Sequence, residues 1–254
     1  GLFLNIYTQK RNSFYGKFKQ FIKQKILPTD YYNIVRQTII LPVIWILSRY
    51  LKIHALHGGT VQINGSALSF SGLSGIGKSI LSLFCCLDKK NKFLSDNYLL
   101  FDENYIYPFP EWIRISKNSE KILPNISEQI GKSEFTRNKK KYFQIPNELI
   151  SSKIKPKFFL FTGFGNSNSL EVIGLNTAID RIILSKNHVR EFPEHSFVGL
   201  LDLFFNFEES RSIKELQTLK TFLEKNKIYS FILNKNLTVK KNMEFLIREI
   251  KKHE

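Results

Sequence analysis

The stretch Gly72–Ser79 (GLSGIGKS) decides the fold, because it matches the pattern G-x-x-x-x-G-K-[ST] of phosphate-binding loops, or P-loops. The apolar segment Ala67–Ser71 (ALSFS) precedes it, and a helical, apolar run begins at Lys78. In such a loop, glycines adopt positive φ angles and N–H groups turn inward, together with the N-terminus of the following helix. We therefore predict a strand–loop–helix unit that binds the phosphates of a nucleotide.

The positions of this motif have predicted roles in binding ATP and Mg²⁺. The backbone of the loop would cradle the β-phosphate with its N–H groups. Lys78 would bridge the β- and γ-phosphates, and the hydroxyl of Ser79 would hold Mg²⁺. The predicted nucleotide-binding residues of this stretch are Gly72, Ser74, Gly75, Ile76, Gly77, Lys78, Ser79 and Ile80.

Phosphoryl transfer also needs a carboxylate near the γ-phosphate, which can hold Mg²⁺ or take the proton from an attacking hydroxyl. Asp96 follows Lys78 by 18 residues, a spacing that suits one helix, a turn and one strand returning to the same end of the sheet. We therefore expect Asp96 at the site, although an aspartate in a Ser-Asp-Asn corner also suits a simple turn. Asp102 and Glu103 follow a second strand and are expected at the opposite sheet end or in a turn.

About a quarter of the chain resembles the catalytic domain of HPr kinase/phosphorylase and its HPr-kinase-like relatives. Four segments match: a strand with His-Gly followed by Val, the glycine loop, an acidic corner at the end of a strand, and a Pro-rich segment. A hairpin connects the first segment to the loop, and a helix connects the loop to the strand of the acidic corner. In chain order the four segments are His57–Val61, Gly72–Ser79, Ser95–Asn97 and Pro108–Arg114. Phosphoenolpyruvate carboxykinases share this type of loop, but they are much longer chains.

The resemblance implies an ATP-dependent kinase and a role for individual residues. Asp96 corresponds to the base that activates an acceptor hydroxyl, and His57 to the His-Gly position beside the phosphates. The implied catalytic residues are therefore Asp96, His57 and Lys78. Arg114 would stabilise the negative charge of phosphate or substrate and is therefore added to the predicted nucleotide-binding residues. Ser79 and Asp96 are the implied metal ligands.

Two departures from the family pattern narrow this expectation. Asn97 stands at the position of a second aspartate, and a neutral amide binds Mg²⁺ less strongly than a carboxylate does. The Arg-Gly-x-Gly signature that accompanies phosphorylase activity is not found. We therefore expect a kinase whose acceptor is a hydroxyl of a peptide, a protein or a small metabolite. The segment Arg36–Leu56 is similar in pattern to the helix that precedes the His-Gly strand in kinases of peptide natural products, such as lasso peptides.

The sequence also allows two other interpretations. Adenylylsulfate-kinase-like enzymes have a similar loop, but there it follows the first core strand directly. Here a hairpin signal, Asn64-Gly65, lies before it, which argues against that class. A nucleotide-binding regulatory module without transfer activity is the second alternative, and both Asn97 and the basic N-terminal segment favour it.

Composition and charge limit the class of protein and its partners. The chain has 254 residues, 43% of them hydrophobic, which is typical of a globular protein. Its 38 Lys and Arg against 22 Asp and Glu give a net charge of +16, which fits either an anionic partner or a solvated basic surface. ATP and an acidic acceptor fit this charge, whereas no nucleic-acid-binding motif is present and nucleic acid is not expected.

The apolar run 39–47 is shorter than a membrane span. The adjacent cysteines at 85 and 86 favour free thiols and therefore a cytoplasmic protein.

The pattern along the chain predicts a basic, helical segment over 1–52 packed on a kinase domain over 53–254. Strands alternating with helices predict an α/β fold with a mixed α+β sheet. Strands are expected over 54–63, 67–71, 92–95, 98–102, 157–162, 170–173 and 228–233. Helices are expected over 32–51 with a break near Pro42, over 78–87, 177–184 and 197–205, over 212–225 behind a capping box at Ser212, and over 238–252. The sequence leaves open whether the chain forms a homo-oligomer.

Overall fold

The computed structural model describes residues 35–73, 75–116, 130, 135–137, 140–188 and 210–253. Within these residues the chain forms a mixed eight-stranded sheet, a separate three-stranded sheet and five α-helices. This is the α/β architecture that the alternation of strands and helices predicts. The predicted helix over 197–205 and the basic segment over 1–34 lie outside the described residues.

The large sheet contains β1 (His54–Ile63), β2 (Ser66–Ser71), β3 (Lys92–Ser95), β4 (Tyr98–Phe101), β5 (Ile106–Tyr107), β9 (Phe158–Gly165), β10 (Ser169–Val172) and β11 (Lys227–Asn234). The small sheet contains β6 (Ile113–Ser116), β7 (Phe135–Arg137) and β8 (Lys140–Phe143). The helices are α1 (Leu41–Tyr50), α2 (Lys78–Cys86), α3 (Leu175–His188), α4 (Ser210–Glu224) and α5 (Val239–Lys251).

The order of the large sheet places two chain turns side by side. Its strands follow the order β10-β11-β9-β2-β1-β4-β5, and β3 pairs with β1 as well. β1 is antiparallel to β2, to β3 and to β4, so β3 runs in the same direction as β2. β3 and β4 lie along successive parts of β1, next to Thr60–Gln62 and His54–His57. The turns that follow β2 and β3 therefore flank β1 near Gly58 and Gly59.

Both faces of the large sheet are covered by apolar side chains. Successive residues of β9 alternate between the two faces: Phe158 and Leu160 belong to one cluster, and Phe159 and Phe161 to the other. The first cluster also contains residues of α2, of α5 and of the small sheet, and the second contains residues of α3 and α4. The site at the β2–α2 junction thus lies on the face that carries α2 and α5.

The hairpin between β1 and β2 confirms the signal seen in the sequence. Asn64 and Gly65 have φ angles of +49° and +82°, the left-handed conformation that a two-residue type I′ turn requires at both positions. This turn sets the register in which Ile63 pairs with Ser66 and Gly58 pairs with Ser71. The turn therefore places His57 and Gly58 beside the last residue before the glycine loop.

The helix predicted over 32–51 does not break at Pro42. A π-helical turn, Arg36–Ile40, continues directly into α1, and Pro42 lies in the first turn of α1. Proline is tolerated there because the first N–H groups of an α-helix have no intrahelical acceptor. The helix packs on β4 through a cluster that includes Trp45 and Tyr98.

The predicted capping box at Ser212 is wrong. α4 begins at Ser210, so Ser212 lies within the helix, because the residues before it also adopt helical backbone. A side-chain cap is present instead at α5, where the hydroxyl of Thr238 accepts a hydrogen bond from the N–H of Lys241 at 3.3 Å.

The two cysteines are adjacent residues at the end of α2. Cys85 and Cys86 are buried free thiols, as expected, and burial raises the pKa of Cys86 to about 12. Both side chains pack in the cluster on the α2 face of the sheet. No helix among the described residues has the length and apolar character to cross a membrane.

Replacing Gly58 by alanine is expected to lower the free energy of unfolding by about 1–3 kcal/mol. A Cβ at this position would lie 2.6 Å from the carbonyl oxygen of Phe70 in the paired strand, so β1 and β2 must separate. Gly174→Ala is the matched control, since nothing lies within 4 Å of a Cβ built there. Urea denaturation measures both; equal midpoints for the two variants would contradict the close approach at Gly58.

Candidate functional site

The 72–77 loop joins β2 to α2 through glycines with positive φ angles. Gly72, Gly75 and Gly77 have φ angles of +140°, +86° and +85°, a region that other residues rarely adopt. At Gly72 a Cβ would also lie 2.8 Å from the carbonyl oxygen of Thr162, so the loop can start beside β9 only without a side chain. α2 begins directly after Gly77, and the unpaired N–H groups of its first turn therefore open toward the loop.

The side chain of Lys78 lies across this loop. Its Nζ atom donates to the carbonyl oxygens of Gly72 at 2.8 Å and of Leu73 at 2.9 Å. Burial lowers the pKa of Lys78 to about 8, while the nearby carboxylate of Asp96 opposes this shift. The ammonium group is thus held against the loop, at a place where phosphate oxygens would be stronger partners than carbonyls.

Asp96 lies directly after β3 and meets the start of α2. Its Oδ2 atom accepts a hydrogen bond from the hydroxyl of Ser79 at 2.8 Å, and its side chain is almost fully buried, with 4% of the residue exposed. Among the described residues, no hydrogen-bond partner is found for the buried Oδ1 atom. Burial raises the pKa of Asp96, and the Ser79 hydroxyl and the charges of Lys78 and Arg114 offset part of that rise. A buried carboxylate with one open oxygen suits a base or a metal ligand.

Gly59 explains how α2 and Asp96 come so close together. A Cβ on Gly59 would lie 3.0 Å from the hydroxyl oxygen of Ser82 in α2 and 3.0 Å from the carbonyl oxygen of Ser95. It would also lie 3.3 Å from the Cα atom of Asp96. The missing side chain therefore lets helix, strand and acidic corner pack together, and this packing sets the distance between Ser79 and Asp96.

His57 and Arg114 lie around the same corner. The carbonyl oxygen of His57 accepts a hydrogen bond from the hydroxyl of Ser71 at 3.3 Å, at the base of the loop. Strand alternation puts the His57 side chain on the same face as Gly59, the face that α2 covers. Arg114, in β6, is close enough for its charge to lower the pKa of Asp96. The catalytic and binding roles of both residues remain predictions.

The other residues predicted to bind nucleotide lie in or next to the loop. Ile76 lies in the loop, and Ile80 lies in the first turn of α2, where its backbone can face a bound phosphate. Ser74 lies outside the described residues. Its predicted role in nucleotide binding therefore rests on the motif.

Asp102 and Glu103 lie in a turn away from the loop, as expected. The Oδ1 atom of Asp102 accepts from the N–H groups of Asn104 and Tyr105, both at 2.7 Å. Its Oδ2 atom accepts from the hydroxyl of Tyr107 at 2.6 Å. The carboxylate is thus occupied in holding the turn, and these bonds lower its pKa.

Three residues of this region have places in the structure that the sequence pattern does not predict. Gly59 belongs to the His-Gly motif, but the motif does not indicate its contact with α2. The side chain of Asn97 is buried, and within the described chain its Nδ2 atom has no hydrogen-bond partner. Phe164 is exposed beside Gly77. Phe164 stands between Gly163 and Gly165 near the end of β9, but the sequence pattern does not predict its exposure.

Comparison with solved structures shows only a distant structural likeness. No protein-family model matches the chain, and no curated protein matches its sequence. Among solved structures, it is similar to the Hpr(Ser) kinase/phosphatase from Coxiella burnetii, with 12% identity and a TM-score of 0.30. That match covers 54% of this chain and 97% of the other. Because the likeness is so distant, it carries no argument about the roles of individual residues, which remain predictions.

Asp96→Asn is expected to raise the melting temperature by a few degrees near neutral pH. Because burial raises the pKa of Asp96 in the folded state, its ionised form costs stability at any pH above that folded-state pKa. The cost disappears as the pH falls through the folded-state pKa toward the ordinary value, and the two proteins should then converge. Thermal melts from about pH 8 to about pH 4 measure the difference.

Asp102→Asn serves as the control of opposite sign. The pKa of Asp102 is lowered in the folded state, so its ionised form contributes stability above its ordinary pKa, which is lost as the pH falls. This variant should therefore melt below the unsubstituted protein at neutral pH. A neutral-pH melting temperature for Asp96→Asn at or below that of the unsubstituted protein would contradict the burial cost.

Proposed function

We propose that this chain is a P-loop phosphotransferase, a kinase that moves the γ-phosphate of ATP to a hydroxyl group. The acceptor would be a side chain of a peptide or protein, or a small metabolite. One observation carries the proposal: the hydroxyl of Ser79 and the carboxylate of Asp96 meet at 2.8 Å where a glycine loop enters α2. Donors for phosphate and an acceptor for a proton are thereby brought to one place.

The loop and the start of α2 suit the phosphates of ATP. Positive φ angles at Gly75 and Gly77 allow consecutive N–H groups to face one concave surface, which is how backbone binds anions. The helix N-terminus adds about half a positive charge. Lys78 lies over the same surface, where its ammonium group donates to loop carbonyls. If phosphate oxygens replaced these carbonyls, the hydrogen bonds would become stronger because both partners would be charged.

The residues also fit the Mg²⁺ ion that accompanies ATP. A hydroxyl and a carboxylate are the hard oxygen ligands that Mg²⁺ prefers, and their 2.8 Å separation suits neighbouring positions around an ion with oxygens at about 2.1 Å. In the described ranges no group of three or more His, Cys, Asp or Glu side chains forms a metal site. Ser79 and Asp96 would thus share the ion with phosphate oxygens and water. When bound, it would neutralise charge on the phosphates.

In this proposal Asp96 acts as the base. Its Oδ1 atom would accept the proton of the acceptor hydroxyl while the hydroxyl oxygen forms a bond to the γ-phosphorus. The bond between the γ-phosphorus and the β–γ bridging oxygen breaks, and ADP leaves with the electron pair. The raised pKa of Asp96 makes its carboxylate a stronger base than an exposed one. The charge of Arg114 would stabilise the negative charge that spreads over the transferred group.

Substitution of Asp96 by asparagine should separate binding from transfer. We expect Asp96→Asn to bind ATP within a few-fold of the unsubstituted protein and to lose about 10²–10⁴-fold in phosphoryl transfer. Lys78→Ala should abolish ATP consumption, since it removes the charge over the loop. The measurement is incubation with γ-labelled ATP and a fractionated lysate, with identification of the labelled species, beside calorimetry of ATP binding.

Asp102→Asn is the matched control for this experiment, because Asp102 lies in a turn away from the loop and transfer should be unchanged. If Asp96→Asn transferred phosphate as fast as the unsubstituted protein, Asp96 would not be the base. If the unsubstituted protein binds ATP but passes phosphate to no acceptor and not to water, the regulatory-module interpretation is correct instead.

The affinity for ATP is expected to fall as the pH rises above about 8. The pKa of Lys78 is about 8 without nucleotide, and bound phosphates would raise it, so binding above this pH requires uptake of a proton. The dissociation constant should increase by up to about tenfold per pH unit. Calorimetry from about pH 7 to about pH 9.5 measures it, and Lys78→Arg, which stays charged, should give a flat profile. A flat profile in the unsubstituted protein would contradict a role for the Lys78 charge.

A further inference from the structure

Phe164 is an exposed aromatic side chain at the end of β9, beside the glycine loop. The residue is 55% exposed, and no other phenylalanine whose side chain the structure describes is exposed to this degree. Its Cζ atom lies 3.9 Å from the position of a Cβ on Gly77, the last loop residue before α2. The ring therefore presents an apolar surface to solvent directly beside the loop.

The strand end that carries this ring is held firmly in the sheet. Gly165 pairs with β11 in parallel register, and its carbonyl oxygen accepts a hydrogen bond from the N–H of Lys235 at 3.1 Å. The flanking glycines leave space for Ile232: a Cβ on Gly163 or Gly165 would lie 3.0 Å or 2.6 Å from its side chain. Ile232 thus covers one face of the strand end. Phe164 projects from the other face, the one that carries α2.

The order of the strands gives the direction in which a nucleotide would lie. β1 and β9 flank β2 on opposite sides. Asp96 and the acidic corner lie on the β1 side, and Phe164 lies on the β9 side. For transfer, the γ-phosphate must approach Asp96. The nucleoside at the other end of the triphosphate is then directed toward β9.

We propose that the ring of Phe164 is the platform on which the nucleobase of ATP stacks. The inference rests on the proposed function, since it needs a nucleotide whose γ-phosphate lies toward Asp96. Aromatic side chains stack on bases with a gain that does not depend on hydrogen bonding to a particular base. An exposed ring on a strand end that the sheet holds in place is ready for such contact, because little conformational freedom is lost on binding.

The test compares two ligands that share phosphates and differ in the base: Mg²⁺-ATP and Mg²⁺-tripolyphosphate. Phe164→Ala should weaken ATP binding by about tenfold and leave tripolyphosphate binding within about twofold. Phe164→Tyr should keep both affinities, since it retains the ring. Val172→Ala removes another apolar side chain, 72% exposed on β10, and should change neither affinity. Calorimetry gives the affinities, and thermal melts verify that each variant is folded.

The outcomes distinguish this inference from the proposed function. If Phe164→Ala leaves ATP binding unchanged, or weakens ATP and tripolyphosphate equally, base stacking is overturned while phosphate binding stands. If the unsubstituted protein binds neither ligand, the proposed function fails and the inference fails with it. A loss confined to ATP and restored in Phe164→Tyr supports stacking on the ring.

Discussion

The close packing of three chain segments around Gly59 is the constraint on which the site depends. α2, β1 and the corner after β3 approach so closely there that a single Cβ would contact both α2 and the corner. The approach brings Ser79 within hydrogen-bond distance of Asp96 and buries the carboxylate. A looser arrangement would leave Asp96 in water, with an ordinary pKa and no fixed position relative to the loop.

Burial of two opposite charges defines the electrostatic character of this corner. Desolvation lowers the pKa of Lys78 and raises the pKa of Asp96, and for each group this effect of burial outweighs the attraction of the other. The ammonium group is satisfied by loop carbonyls, whereas one carboxylate oxygen has no hydrogen-bond partner in the part of the chain that the structure describes. The buried carboxylate with an unpaired oxygen destabilises the fold. An anionic ligand would favour the charge of Lys78, and a proton donor would satisfy the open oxygen of Asp96.

The two strands that neighbour β2 contribute different residues to the candidate site. On the side of β1, the antiparallel strands carry His57 and the acidic corner, and Arg114 approaches from the small sheet. On the other side, the parallel strand β9 extends beyond β2 and presents Phe164. In the proposed function, this division would let the order of the strands set the orientation of the nucleotide. It also explains why Phe164 lies far from the loop in sequence and beside it in space.

Local patterns determined what the sequence could predict by itself. The strand over 54–63, the Asn64-Gly65 turn and the glycine loop before α2 follow from backbone conformations that neighbouring residues impose. The predicted start of α4 is wrong because a local capping pattern does not limit a helix whose preceding residues extend it. Only tertiary structure decided that β3 and β4 share one partner, that Gly59 admits α2 and that Phe164 is exposed. These depend on pairing and packing between residues distant in the chain, which no local pattern encodes.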